Sequence, residues 1–111
     1  KDRGRLRTGE AVRMKKPDAS ERRHMGLVAE LGCVLCQHLG YGPTPAQTHH
    51  ILQDRGLGQR SPHFLTVALC PEHHTGNSGI HQLKSSGFQT RYKLDELDLL
   101  SMTIRKLSEK I

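Results

Sequence analysis

Apolar residues recur at helical spacing in two segments of the chain. In the first, Pro17 and the polar residues after it favour a helix start and Gly32 favours its end, which predicts a helix over about 18–31. Its apolar positions are Met25, Leu27, Val28 and Leu31. In the second, apolar residues at 94, 97, 99, 100, 102, 104 and 107 predict a helix over 94–107. Each helix therefore presents an apolar face for packing on a core.

Between these helices, two short stretches rich in β-branched and apolar residues predict strands. They cover 48–52 and 64–69, and a glycine-containing turn over 54–62 joins them. After the second strand we expect a tight turn at 70–74 and then a short helix that carries His81. A few strands among separate helices predict an α+β fold.

Size and composition limit the core. The chain has 111 residues, of which 34% are hydrophobic and 4% aromatic, so we expect one domain whose small core needs another source of stability. No run of about 18 apolar residues exists, which excludes a transmembrane helix, and no secretory signal is visible. Three cysteines cannot form a complete set of disulfides, which favours a reducing compartment with thiols available for a metal.

Positive charge is concentrated at the start of the chain. Residues 1–23 carry nine basic and four acidic side chains, a net of +5 in a chain whose total is +6. We therefore expect a basic, weakly structured arm over 1–17 and a single domain over 18–111. The arm suits contact with nucleic-acid phosphates, although a tail that only maintains solubility would have the same composition. The predicted contacts are Lys1, Arg3, Arg5, Arg7, Arg13, Lys15 and Lys16, with Arg55 and Arg60 in the turn between the strands.

Two ligand pairs with the same spacing point to zinc. Two residues separate Cys33 from Cys36, and two separate Cys70 from His73, so tight turns can aim each pair at one ion. A structural Zn²⁺ takes four such ligands in a tetrahedron. Alternatively, the cysteines are small buried hydrophobic residues and His73 is incidental. The pairing favours a structural zinc site, which would add the stability that the thin core lacks.

Further histidines suggest a second kind of metal site. His49 and His50 are adjacent on a predicted strand, so their side chains point to opposite sides. One ring can then ligate a metal while the other reaches a reacting water. His74 and His81 follow the second ligand pair, and a returning helix could bring them beside the strand. Histidine nitrogens with open positions are typical of a catalytic site, whereas core histidines and an exposed pair are the alternative.

The order of these motifs resembles that of the HNH endonucleases of the ββα-metal class. The resemblance covers about residues 33–83 and implies a small α+β fold with a zinc-stabilised ββα-metal core, flanked here by the N- and C-terminal helices. It also implies that His49 binds the catalytic metal, with His74 and His81 as its other protein ligands. His50 would be the general base that deprotonates the attacking water. The ion at this site could be Mg²⁺, Mn²⁺ or Zn²⁺.

A narrower resemblance is to the phage Ref proteins, which are RecA-dependent nucleases that enhance recombination. It rests on the runs HHIL at 49–52, GQR at 58–60, TVALCPEHH at 66–74 and GIH at 79–81. It implies that the substrate is DNA bound by a RecA nucleoprotein filament, including a strand-exchange (D-loop) intermediate. It further implies that the basic arm binds DNA and that the protein works in the cytoplasm of a bacterial host cell.

The sequence departs from the HNH pattern at two points. The middle asparagine of many HNH motifs has no counterpart between the strands, where His63 or the later Asn77 is a candidate for the active site. Six residues separate His74 from His81, more than a single helical turn. His73 and His74 could also exchange roles, although the spacing from Cys70 favours His73 in the zinc site.

These observations support three functional hypotheses. The first is a metal-dependent DNA endonuclease, and the second is a non-catalytic, zinc-stabilised DNA-binding or adaptor module. The third is an RNA-directed nuclease of the same class, because a basic arm contacts either kind of backbone. A binding module has no physical need for four further histidines beside its zinc site. The sequence therefore favours the enzyme.

Overall fold

The computed structural model of the protein describes residues 16–51 and 62–110. Over these ranges the chain forms five helices and two strands, which confirms the predicted α+β class. In chain order they are α1 (Ala19–Glu30), α2 (Val34–His38), β1 (Gln47–His50), β2 (Thr66–Leu69), α3 (Pro71–His74), α4 (Ile80–Tyr92) and α5 (Glu96–Glu109). Most of the predicted arm and most of the turn between the strands lie outside the described residues.

Helix α1 lies within one residue of each predicted bound. Asp18 is its N-cap and forms a capping box with Glu21, in which each side chain accepts a hydrogen bond from the other's backbone N–H at 2.8 Å. Leu31 is the C-cap, and Gly32 follows with a φ of +79°, a conformation that favours glycine. Val28 is the fully buried residue of its apolar face.

Helix α5 begins two residues later than predicted. Asp95 is its N-cap and forms a capping box with Asp98, with both hydrogen bonds at 2.9 Å. Apolar spacing cannot locate this start, because Leu94 packs against the core from outside the helix. The buried face of α5 carries Leu99, whereas Leu97 lies about half exposed on the opposite side.

The two strands pair antiparallel, with His49 opposite Val67 and His50 opposite Thr66. Both are shorter than predicted. β1 ends at His50, and β2 begins at Thr66 because the residues before it form a turn that is closed by a hydrogen bond from the Leu65 N–H to the Pro62 carbonyl at 3.0 Å. The sheet is therefore small, and all four residues of β2 are buried.

The core lies on β2. Helices α1, α2 and α5 pack against this strand, so the predicted flanking helices contribute directly to the core. Its fully buried large side chains include Val28, Leu35, Leu69, Phe88 and Leu99. None of the helices formed by residues 16–51 and 62–110 has the length and apolarity needed to cross a membrane.

Helix α4 carries His81 as predicted. Its 13 residues form two helical segments separated by non-helical backbone at Lys84, where φ is 63° and ψ is 173°, so the segment that carries His81 is short. The turn before it is tight at Gly79, where an added Cβ would lie 2.7 Å from the Glu72 carbonyl oxygen and 2.8 Å from backbone carbons of His73 and His74. This close approach sets α4 against α3.

Candidate metal centres and catalytic histidines

Three cysteines and one histidine converge at the junction of α2, β2 and α3. Cys33 is the N-cap of α2 and Cys36 lies within that helix. Cys70 follows β2 as the N-cap of α3, and His73 lies in α3. All four residues are buried, and their ligand atoms lie within 4.8 Å of one another. The structure thus brings together the four residues predicted to form the zinc site.

The distances within this cluster fit one tetrahedral ion. Nδ1 of His73 lies 3.7, 3.5 and 3.4 Å from the Sγ atoms of Cys33, Cys36 and Cys70. The sulfur atoms of Cys36 and Cys70 are 3.8 Å apart. In a tetrahedron with Zn–S near 2.3 Å and Zn–N near 2.0 Å, ligand atoms are roughly 3.5–3.8 Å apart. The buried Cys/His cluster can therefore bind a metal such as zinc.

Burial also determines how these groups ionise without a metal. It raises the pKa of the Cys33 thiol to about 12 and lowers the pKa of His73 below its ordinary value. The thiol is thus protonated at neutral pH and the imidazole is neutral. Since a metal binds the thiolate, binding must release the Cys33 proton.

A second cluster consists of the imidazoles of His49, His74 and His81. Their ligand nitrogens lie within 4.8 Å of one another, and Nε2 of His74 is 3.1 Å from Nε2 of His81. His49 comes from β1, His74 from the end of α3 and His81 from the first turn of α4. The tight turn at Gly79 explains how histidines separated by six residues meet. The structure therefore places His73 in the cysteine cluster and His74 in the histidine cluster.

Two rings of the histidine cluster, those of His74 and His81, have lone pairs available at neutral pH. Burial, followed by the neighbouring His49 and His81, lowers the pKa of His74 to about 4. Burial is also the main cause that lowers the pKa of His81. Nδ1 of His74 donates a hydrogen bond to Oε1 of Gln47 at 2.8 Å, so its lone pair is on Nε2, the atom nearest His81. The arrangement suits a cation with open coordination positions.

His50 lies on the other face of β1, as the strand period predicts. Its Nε2 is 3.0 Å from Nδ1 of His63, a buried residue in the turn before β2. The sequence offered His63 and Asn77 as candidates in place of the middle HNH asparagine, and His63 is the one that contacts His50. Asn77 lies exposed in the turn between α3 and α4.

Two residues of the site were missed from the sequence. Gln47 contacts His74, and it lies two residues before His49 on the same face of β1, a period that could have identified it. Glu96 contacts His49, with its Oε2 at 2.6 Å from Nε2, and both residues are 2% exposed. Glu96 stands among acidic residues at the start of α5, and nothing in that local pattern indicates which of them points inward.

A cavity of about 140 Å³ opens beside the histidine cluster. Its lining consists of His49, Ile80, His81, Lys84, Ser85 and Glu96. It thus brings two of the clustered imidazoles, a carboxylate and a basic side chain to one small space. Such a space can admit water or a phosphate oxygen beside a bound cation.

The predicted nucleic-acid contacts fall almost entirely outside the described residues. Lys16 is described and is exposed. The remaining predicted contacts, which stay predictions, are Lys1, Arg3, Arg5, Arg7, Arg13, Lys15, Arg55 and Arg60.

The fold and the two ligand sets define a small α+β protein that can bind one metal through a buried Cys₃His set, with a second, imidazole set beside a cavity. The chain belongs to the recombination-enhancement, RecA-dependent nuclease family, whose model matches residues 17–108. This match confirms the predicted resemblance at the level of the family. Membership indicates nuclease activity that depends on RecA. No individually curated protein matches the chain.

Proposed function

We propose that the protein is a metal-dependent endonuclease of the HNH type that hydrolyses phosphodiester bonds in DNA. The observation that carries the proposal is that the two adjacent histidines of β1 contact different groups of side chains. His49 joins His74 and His81, whereas His50 is paired with His63 on the other face. The family to which the chain belongs supports a nuclease.

His49, His74 and His81 would hold the catalytic ion, which is Mg²⁺, Mn²⁺ or Zn²⁺. Their ligand nitrogens lie within 4.8 Å of one another, which suits the binding of one ion. The lowered pKa values of His74 and His81 keep these two rings neutral, so they offer lone pairs and do not repel a cation. A divalent ion bound there supplies stabilisation of the negative charge on the scissile phosphate and the leaving oxygen. Gln47 orients His74 through Nδ1 and so keeps Nε2 available.

His50 is the proposed general base. In the tautomer in which its Nε2–H donates to Nδ1 of His63, the lone pair of His50 lies on Nδ1 and accepts the proton of the attacking water. The imidazolium that forms still donates to His63, so the contact holds the ring in one orientation before and after proton transfer. His63 is thus a positioning residue for His50.

The Cys₃His cluster has a structural role in this proposal. Cys33, Cys36, Cys70 and His73 are buried and would fill all four ligand positions of a tetrahedral Zn²⁺, which would leave no place for substrate. By joining α2, the end of β2 and α3, these ligands would fix the segment from which His74 extends.

The proposed substrate is DNA bound by a RecA nucleoprotein filament, including D-loops formed in phage recombination. The RecA dependence in the family description supports this choice. The basic arm over 1–17, with Arg55 and Arg60, would bind the backbone, and residues 18–111 would form the single nuclease domain. The place of action would be the cytoplasm of a bacterial host cell.

Cleavage assays test the proposal. Wild-type protein is incubated with single- and double-stranded DNA, with each of the three metals, and with or without RecA and ATP. We expect cutting that requires a divalent ion and RecA. Cutting without RecA would contradict the proposed substrate but leave the HNH mechanism. DNA binding without cutting under any metal would contradict the enzyme and favour the zinc-stabilised binding module.

A further inference from the structure

Glu96 is a buried carboxylate that the mechanism above does not use. It lies in the first turn of α5 and is 2% exposed. Its neighbours Asp95 and Asp98 are the residues that cap the helix, through hydrogen bonds that are exposed. A glutamate in a first turn normally extends into water, and a buried one is rare unless it is paired. Its inward position therefore calls for a partner.

His49 is one partner of Glu96. Oε2 of Glu96 lies 2.6 Å from Nε2 of His49, a short contact that joins residues 47 positions apart in the chain. Because a carboxylate oxygen accepts and cannot donate, Nε2 of His49 carries the hydrogen. The other ring nitrogen, Nδ1, then holds the lone pair of the neutral imidazole. The carboxylate thus selects which nitrogen of His49 can face a cation.

Glu96 is adjacent to the histidine set but is not a member of it. The three imidazoles form the group whose ligand atoms all lie within 4.8 Å of one another, and Glu96 is not part of that group. It nevertheless lines the same cavity as His49 and His81, and its charge acts on His81 in the direction that raises that ring's pKa. A carboxylate in this position adds negative charge near a cation without occupying a coordination position.

We infer that Glu96 is a positioning residue for the metal site, which fixes the ring and the tautomer of His49 so that Nδ1 ligates the ion. This inference rests on the proposed function, because it takes His49, His74 and His81 as the ligands of one cation. Partners of this kind orient ligating imidazoles and raise their basicity, and their loss weakens metal affinity by about 10- to 100-fold. The fold thereby couples α5 to a metal ligand on β1.

Cobalt binding tests this inference without DNA or RecA. The cysteine cluster is first filled with one equivalent of Zn²⁺, and Co²⁺ is then titrated into the histidine set while its visible absorption is recorded. We compare the wild type with Glu96→Gln, which keeps the size of the side chain and removes its charge. Glu109→Gln is the matched control, because Glu109 ends the same helix and is exposed.

We expect Glu96→Gln to bind Co²⁺ about 10- to 100-fold more weakly, with unchanged band positions, while Glu109→Gln binds like the wild type. Unchanged affinity in Glu96→Gln would overturn the inference. Shifted band positions would also overturn it, because they would make Glu96 a direct ligand. If Glu96→Gln does not fold, Glu96→Asp, which keeps the charge but is one methylene shorter, is titrated instead. It should bind Co²⁺ more weakly than the wild type, because the shorter side chain loses its contact with His49, and unchanged affinity would overturn the inference.

The same titration separates this inference from the proposed function. A wild-type protein that binds Co²⁺ with the expected dependence on Glu96 but cuts no DNA would contradict the nuclease and leave the role of Glu96 intact. A wild-type protein that cuts DNA while Glu96→Gln retains full Co²⁺ affinity would contradict only the role of Glu96.

Discussion

At the scale of single residues, His49 and His50 show how adjacent side chains of one type acquire different chemistry. Strand geometry sends them to opposite faces of β1. His49 is buried beside Glu96 and two further imidazoles, whereas His50 is partly buried and contacts His63. The surroundings of each ring decide what it can do, since an imidazole can serve equally as a metal ligand or as a base.

Replacement of His63 tests the positioning of His50. We expect His63→Gln to lower the rate constant for cleavage by about 10- to 100-fold, a part of the 10²–10⁴-fold that a general base contributes. The substrate KM should change little, because His63 holds the base and not the DNA. Kinetics with RecA-coated DNA measure both constants, with His38→Gln as a control at an exposed histidine. A raised KM with an unchanged rate constant would argue against positioning.

At the scale of elements, the turn between α3 and α4 determines whether the histidine cluster forms. His74 ends α3 and His81 lies in the first turn of α4, and their Nε2 atoms are 3.1 Å apart. Glu72 closes the turn by accepting hydrogen bonds from the N–H and the hydroxyl of Ser78, at 2.9 and 2.6 Å. These hydrogen bonds lower the pKa of Glu72 below its ordinary value.

Gly79 provides a direct test of this turn. A Cβ at this position would meet backbone atoms of α3 at 2.7–2.8 Å, so we expect Gly79→Ala to reduce the free energy of unfolding by about 1–3 kcal/mol. Gly26→Ala is the control, because Gly26 lies in α1 with nothing within 4 Å of an added Cβ. It should stabilise by about 0.4–1 kcal/mol. Urea unfolding measures both, and equal effects of the two substitutions would contradict the account of the turn.

The sequence predicted helix bounds and metal ligands correctly where a single local pattern was sufficient. The polar residues after Pro17 and the glycine at Gly32 predicted both ends of α1 to within one residue. The two-residue ligand spacing identified all four members of the Cys₃His cluster. The start of α5 was misplaced because Leu94 continues the apolar pattern outside the helix. Glu96 was missed because its partner is 47 residues away, and no local pattern reports which acidic side chain points inward.

At the scale of the whole molecule, a metal bound at the Cys₃His cluster would add stability to a small core. The sheet has two strands of four residues, and Phe88 is the one aromatic side chain among the fully buried residues of ranges 16–51 and 62–110. A metal ion at the cluster would join α2, the end of β2 and α3. Because such a site does not exist in the unfolded chain, the free energy of binding contributes to folding.

Removal of zinc should therefore destabilise the whole domain. We expect chelation to lower the Tm of the wild type by about 10 °C or more, since about 1 kcal/mol corresponds to several degrees for a domain of this size. Cys70→Ser should have a low Tm that chelation changes little. Thermal unfolding followed by circular dichroism, with metal content measured in parallel, provides the test. A wild-type Tm that is insensitive to chelation would show that the core suffices by itself.

The most direct test of the nuclease mechanism is DNA cleavage by His50→Gln at matched metal content. The assay uses RecA-coated DNA and compares this variant with the wild type and with His38→Gln. We predict that all three proteins bind the same amount of metal, that His38→Gln cuts like the wild type, and that His50→Gln is slower by about 100-fold or more. Cleavage by His50→Gln at the wild-type rate would contradict the assignment of His50 as the general base.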